Sequence, residues 1–113
     1  AEAMVLGKFL DLPMVDVVDA LKVGAANSWP LENRSKAMLN DKHPLGFKLE
    51  LHHKDLSIAI DLAKSINIDL PIASRVKEIE KKLMQIGLGE HDISVIHRYI
   101  SLVKIEDENN CIN

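Results

Sequence analysis

A chain of 113 residues that is 47% hydrophobic can bury one modest core and is close to the usual size of a single domain. Its 14 basic and 17 acidic residues leave a formal net charge of -3, too mild to favour nucleic acid as a partner. The one cysteine, Cys111, excludes an intramolecular disulfide and a cysteine-based metal site; no apolar run is long enough to span a membrane or laid out as a signal peptide, so a soluble protein of the reducing cytoplasm is the expectation.

Apolar residues recur at spacings of three and four in one segment after another, and period-two alternation is almost absent, which predicts an all-α chain of about six helices. Ala1 to Leu10 has helix-forming composition with no capping residue ahead of it, so the chain is expected to begin inside a helix, with Met4, Val5 and Phe9 on one face. That helix should run out near Asp11 and Leu12, with Pro13 opening a second one striped by Met14, Val17, Val18 and Leu21. Gly24 ends the second helix, and Pro30 suits the first turn of a third that carries Leu31, Arg34, Ser35, Met38 and Leu39 up to a loop at Asn40 to Gly46.

The longest helical pattern runs from about Phe47 to Ile66, with Leu49, His53, Leu56, Ile60 and Ala63 on one face and Leu51, Ile58 and Leu62 nearby, a width that predicts packing on more than one side. Pro71 opens the next helix, whose stripe Ile72, Val76, Ile79, Leu83 and Ile86 is the cleanest in the chain. Gly87 and Gly89 stop it, and Asp92 caps a last helix with Ile93, Ile96, Tyr99, Ile100 and Val103. From Glu106 the residues are almost all polar, which predicts a frayed tail over 106–113 after a helical domain over 1–105.

Chemistry-bearing motifs are sparse. No GxGxxG or phosphate-binding loop occurs, so the phosphates of a dinucleotide have no cradle in this chain. The histidines His43, His52, His53, His91 and His97 form no HxxxH or HExxH pair, and no metal site is expected. None of the seven serines stands in a nucleophile motif, which leaves them as caps or surface hydroxyls. Lys77, Lys81 and Lys82 interleave with Glu78 and Glu80 in the manner of a solvated helix face. The feature that stands out is Lys54-Asp55 inside the most apolar helix. Two readings fit it: a surface ion pair or a side chain snorkelling at the edge of the core, or a lysine projecting into a cleft to meet an anion, a carbonyl or a cofactor amide.

Taken in order, Gly24-Ala25-Ala26-Asn27-Ser28-Trp29, Pro44-Leu45-Gly46-Phe47, Lys54-Asp55-Leu56, Leu70-Pro71 and Gly87-Leu88-Gly89 with Asp92 resemble the C-terminal domain of the β-hydroxyacid dehydrogenases, up to about Tyr99. The resemblance implies a bundle like the C-terminal domain of 6-phosphogluconate dehydrogenase. It also implies an upstream Rossmann domain as partner, joined by a long helix of which residues 1–10 are the end. The catalytic lysine would lie upstream of Ala1, so no residue here, Lys8 included, is assigned a catalytic role.

The same resemblance makes Lys54 a cofactor-binding residue facing the nicotinamide end of NAD or NADP, with Asp55 orienting it or capping backbone. It gives Phe47 a part in shaping the same cleft, and it places Ser28 and Trp29 on the substrate side, although core packing of the two aromatics remains open. The implied parent is an NAD(P)-dependent oxidoreductase acting on a small 3-hydroxy acid, assembled as a homo-dimer or tetramer, while the chain alone is expected to be inactive and to bind no cofactor. The alternative reading is a non-catalytic helical module for oligomerisation or protein interaction, which would need the Ile72 to Ile86 stripe and not Lys54.

Overall fold

The computed structural model describes residues 1–110, and residues 111–113, Cys111 among them, lie outside what is described. Six α-helices and one 3-10 turn are present and there is no strand among the described residues, in agreement with the all-α expectation. Where composition predicts one domain, the contacts gather into two compact units.

The first unit holds α1 (Glu2–Phe9), α2 (Met14–Lys22), α3 (Trp29–Asn40) and α6 (His97–Asn110). Its core is Met4, Met14, Val18 and Met38, with Val17, Leu31 and Leu39 packed against them. The predicted stripes of α2 and α3 therefore face this core, while Phe9, expected beside Met4 and Val5, is exposed because α1 ends there and the chain turns away through Asp11 at φ 52°. Gly7 is buried where α1 meets α2, and a Cβ built on it would stand 2.3 Å from Met14 Sδ, so any side chain there displaces the flexible end of Met14. Lys8 donates from Nζ to the Leu39 carbonyl at 3.1 Å, tying α1 to the end of α3.

The second unit holds α4 (Leu49–Ser65), α5 (Pro71–Gln85) and the 3-10 turn Ile93–Ile96. Leu49, Leu83 and Val95 are fully buried, with Ile60 and Ala63 close behind. Of the α5 stripe, Leu83 is fully buried, Val76 and Ile79 are half-buried, and Ile72 and Ile86 at its two ends are exposed. Gly87 closes α5 at φ 89°, a left-handed conformation in which a side chain would be strained.

Two expectations for the end of the chain are corrected. Asp92 does cap, but the element it caps is a 3-10 turn, and the α-helix begins only at His97. The backbone is also helical to Asn110, where composition predicts fraying from Glu106; a helix already nucleated gains one hydrogen bond per added residue, and this stretch contains no Gly or Pro to stop it.

Candidate functional site

Lys54 lies in the second turn of α4 with its side chain exposed, and no described residue gives it a hydrogen bond or an ion pair. The surface pair with Asp55 does not form. Successive residues on a helix diverge by about 100°, and Asp55, also exposed, neither orients Lys54 nor caps backbone. What fixes Lys54 is its helix: Leu49, one turn before it, is fully buried, and Ile60 and Ala63 anchor the same helix further along.

The start of that helix is held by Asp92. Its Oδ2 accepts the backbone N–H groups of Gly46 and Phe47, both at 3.0 Å, and its Oδ1 accepts that of Ser94 at 2.9 Å. Around this carboxylate the backbones of the two segments pair: Leu49 N–H donates to the His91 carbonyl, Glu50 N–H to that of Gly89 and Ile93 N–H to that of Phe47, each at 2.9 Å. Asp92 is 2% exposed, so a side chain read from sequence as a helix cap is also the clamp that sets Phe47 in place. Phe47 itself is half-buried and meets the His52 ring edge-on at 6.5 Å.

Ser28 and Trp29 belong to the first unit. The Ser28 hydroxyl oxygen accepts the Leu31 N–H at 3.2 Å as the N-cap of α3, with Pro30 in the first turn as its missing amide predicts. Ser28 also lines a mostly apolar cavity of about 250 Å³ with Met4, Leu21, Ala26, Leu31 and Met38. Trp29 is 61% exposed and carries the Arg34 guanidinium 4.7 Å above its ring. Core packing is thus not the role of Trp29.

Two clusters of ionisable groups carry no mark in the sequence. Glu80, expected on a solvated face, is fully buried: it falls four residues after Val76 and three before Leu83, on the inward side of α5. Its Oε1 stands 2.5 Å from His52 Nδ1, while its Oε2 and His53 Nδ1, 4.0 Å apart, are buried without a hydrogen-bond partner. Burial pushes the Glu80 carboxyl above the usual carboxylate range, against the opposing hydrogen bond and charge of His52 and the charge of His53.

The other cluster gathers around Asp41, the left-handed C-cap of α3. Asp41 Oδ1 lies 3.1 Å from His43 Nε2, 3.3 Å from His97 Nε2 and 2.9 Å from Arg98 Nε, and Arg98 Nη2 donates to Oδ2 at 3.2 Å. The hydrogen bonds from Arg98 and His43 hold the Asp41 carboxyl down at about 2. Arg75 pairs with Glu78 at 3.1 Å, an ordinary surface pair on α5.

No helix among the described residues is long and apolar enough to cross a membrane. Residues 1–100 match the family described as NAD-binding of NADP-dependent 3-hydroxyisobutyrate dehydrogenase. The chain is 28% identical over 108 residues to an L-threonate dehydrogenase of Pectobacterium atrosepticum, covering 96% of this chain and 36% of that protein. It is 33% identical over 102 residues to a 3-sulfolactaldehyde reductase of Escherichia coli, covering 85% and 33%. A crystal structure of 3-hydroxyisobutyrate dehydrogenase from Salmonella typhimurium superposes with a TM-score of 0.78 at 28% identity, covering 86% of this chain and 34% of that one. The chain spans about a third of the length of the relatives it matches.

Proposed function

The chain belongs to the NADP-dependent 3-hydroxyisobutyrate dehydrogenase family, and from that membership we propose that it is the helical C-terminal domain of an NAD(P)-dependent oxidoreductase interconverting a small 3-hydroxy acid and its semialdehyde or keto acid. The observation that carries this reading within the chain is Lys54: an exposed ammonium with no partner among the described residues, on a helix anchored at both ends. An unpaired cation on a rigid element is preorganised to receive a carboxylate or a carbonyl.

The residues present suit one end of a dinucleotide only. Lys54 would donate hydrogen bonds to the carboxamide of the nicotinamide or to the substrate carboxylate, and Phe47, held by the Asp92 clamp, would border the same space. No glycine-rich turn meets a helix N-terminus in this sequence, so the phosphates would be held by an upstream Rossmann domain. A bound nicotinamide supplies the hydride. As the family resemblance implies, the proton would come from a lysine upstream of Ala1; Lys8 donates to the Leu39 carbonyl.

Trp29 with Arg34 over its ring offers a cation and an aromatic face to a hydroxylated, carboxylate-bearing substrate, while one lone pair of the Ser28 hydroxyl oxygen is taken by the Leu31 N–H. The exposed apolar side chains of α1 (Leu6 and Phe9) and α4 (Ile58 and Leu62), with Ile66 just beyond α4, support assembly into a homo-dimer or tetramer.

The experiment is an assay of the intact polypeptide and of residues 1–113 alone for NAD- or NADP-linked oxidation of small 3-hydroxy acids. Turnover by the intact protein and none by the chain alone is the expected result. Loss of the upstream part without effect on turnover, or an intact protein inert toward every such acid, would overturn the reading.

A further inference from the structure

The local spacing of the histidines gives no metal motif, but the fold brings two of them to one carboxylate oxygen from distant parts of the chain. His43 comes two residues after Asp41 in the loop that leaves α3, and His97 is the first residue of α6. One ligand atom from each of Asp41, His43 and His97 lies within 4.8 Å of the other two. We propose that Asp41, His43 and His97 form a binding site for a divalent transition-metal ion of the zinc type, which fixes the end of α3 to the start of α6.

Two observations carry the assignment, and a third sets its test. The first is distance. A tetrahedral ion with bonds of about 2.0–2.1 Å to nitrogen and oxygen sets its ligand atoms roughly 3.3 Å apart, and the two Asp41–histidine separations are 3.1 and 3.3 Å. The third separation, between the two histidines, is no more than 4.8 Å, so binding draws the rings together about a shared ion. The second is preorganisation. The side chains of His43 and His97 are 4% and 10% exposed, and their rings stack with centroids 5.0 Å apart and planes tilted by 36°. The Asp41 backbone is fixed in the left-handed region at φ 51°, and the next amide, Lys42 N–H, bonds the Ala37 carbonyl at 3.1 Å. Three ligands of the right chemistry are therefore held in place before any ion arrives, with a fourth position left to water.

The third observation is Arg98, which already places a cation on the same carboxylate. Its Nε occupies Oδ1, the oxygen the metal requires, while its Nη2 holds Oδ2. Metal binding moves the guanidinium onto Oδ2 alone, where it becomes an outer partner orienting the ligating carboxylate. Arg98 is thus a competitor of the metal, and this distinguishes a coordination site from a plain hydrogen-bonded cluster. In the plain cluster Arg98 is an asset whose loss weakens everything around it.

The test is calorimetric titration of the chain with Zn2+, paired with Co2+ titration monitored by visible absorption, in which a tetrahedral ion shows intense d–d bands. One saturable equivalent is expected, with affinity falling at least tenfold in His43→Ala and in His97→Ala. Affinity should rise in Arg98→Ala and stay unchanged in His91→Ala, which removes an exposed histidine elsewhere. Because His97 is buried and its variant could unfold, the Arg98→Ala gain is an independent readout that an unfolded protein would not give. No saturable Zn2+ binding, binding indifferent to His43, or weaker binding in Arg98→Ala overturns the proposal.

Discussion

Replacing Asp92 tests how the start of α4, and with it Phe47, is held. Its carboxylate accepts three backbone N–H groups, from Gly46, Phe47 and Ser94, in a place from which water is excluded. A hydrogen bond to a charged acceptor contributes about 1.5–3 kcal/mol, and a buried donor left without a partner costs about 1–3 kcal/mol. The three bonds share one group and do not add fully, so Asp92→Ala is expected to cost about 3–5 kcal/mol. Against a total of roughly 6–17 kcal/mol for a chain of this length, that is a large fraction.

Asp92→Asn separates the contributions. An amide has one acceptor oxygen, so if that oxygen keeps Gly46 and Phe47, its NH2 faces the Ser94 N–H, donor against donor. The expected cost is about 1–3 kcal/mol, between wild type and Ala. Urea unfolding gives the stability, and amide hydrogen exchange at Gly46, Phe47 and Ser94 says which bonds opened. An Asn variant within about 0.5 kcal/mol of wild type, a size ordinary for surface substitutions, with unchanged exchange at all three amides, would refute the clamp.

Glu80→Gln should alter the pH dependence of stability. A carboxyl whose folded value is raised binds its proton more tightly in the native state, so its contribution falls as pH rises from the unfolded value of 4.5 through the folded one. The Gln variant lacks that loss, so its stability relative to wild type should improve with pH across this window in denaturant titrations at several pH values; a constant difference would contradict the burial argument. Gly7→Ala forces a methyl group against Met14, whose flexible end yields only partly; a net loss of about 1–2 kcal/mol is expected, overpacking being offset in part by the better helix propensity of alanine. A thermal melt at or above the wild-type midpoint would mean that the Met14 side chain repacks around the methyl group without cost.

The helices are legible in the sequence because each segment repeats its apolar residues at the helical period, and Pro30, Pro71 and Gly87 punctuate them where their backbone chemistry requires. Ser28 as a cap is likewise readable from its place before Trp29 and Pro30. Glu80 misleads when its charge is weighed and its register is not: four residues past Val76, it lies on the buried face, where only a partner such as His52 makes a carboxylate tolerable.

The adjacent Lys-Asp letters suggest a pair, yet a neighbour at i+1 on a helix points elsewhere, and Glu50, four residues before Lys54, pairs with Lys48 at 3.7 Å. The Asp41, His43 and His97 cluster has no sequence signal. Fifty-odd residues separate His43 from His97, and only the packing of α6 beside α1 in the first unit brings them together. The double duty of Asp92 is half visible: a cap can be read from its position, but a clamp on Gly46 and Phe47 is a property of the tertiary structure.

The role proposed for this domain is to present Lys54 to the reactants of a dinucleotide-dependent dehydrogenase. It is tested most directly by the steady-state kinetics of Lys54→Ala in the intact polypeptide. Because the side chain is exposed and unpaired, the substitution should leave the melting temperature within about 2 °C of wild type, as expected for a surface change of under 0.5 kcal/mol. It should lower kcat/KM for cofactor or substrate by about tenfold to a hundredfold, the effect of losing a charge-assisted hydrogen bond of roughly 1.5–3 kcal/mol. Kinetic constants indistinguishable from wild type for both reactants would contradict the account.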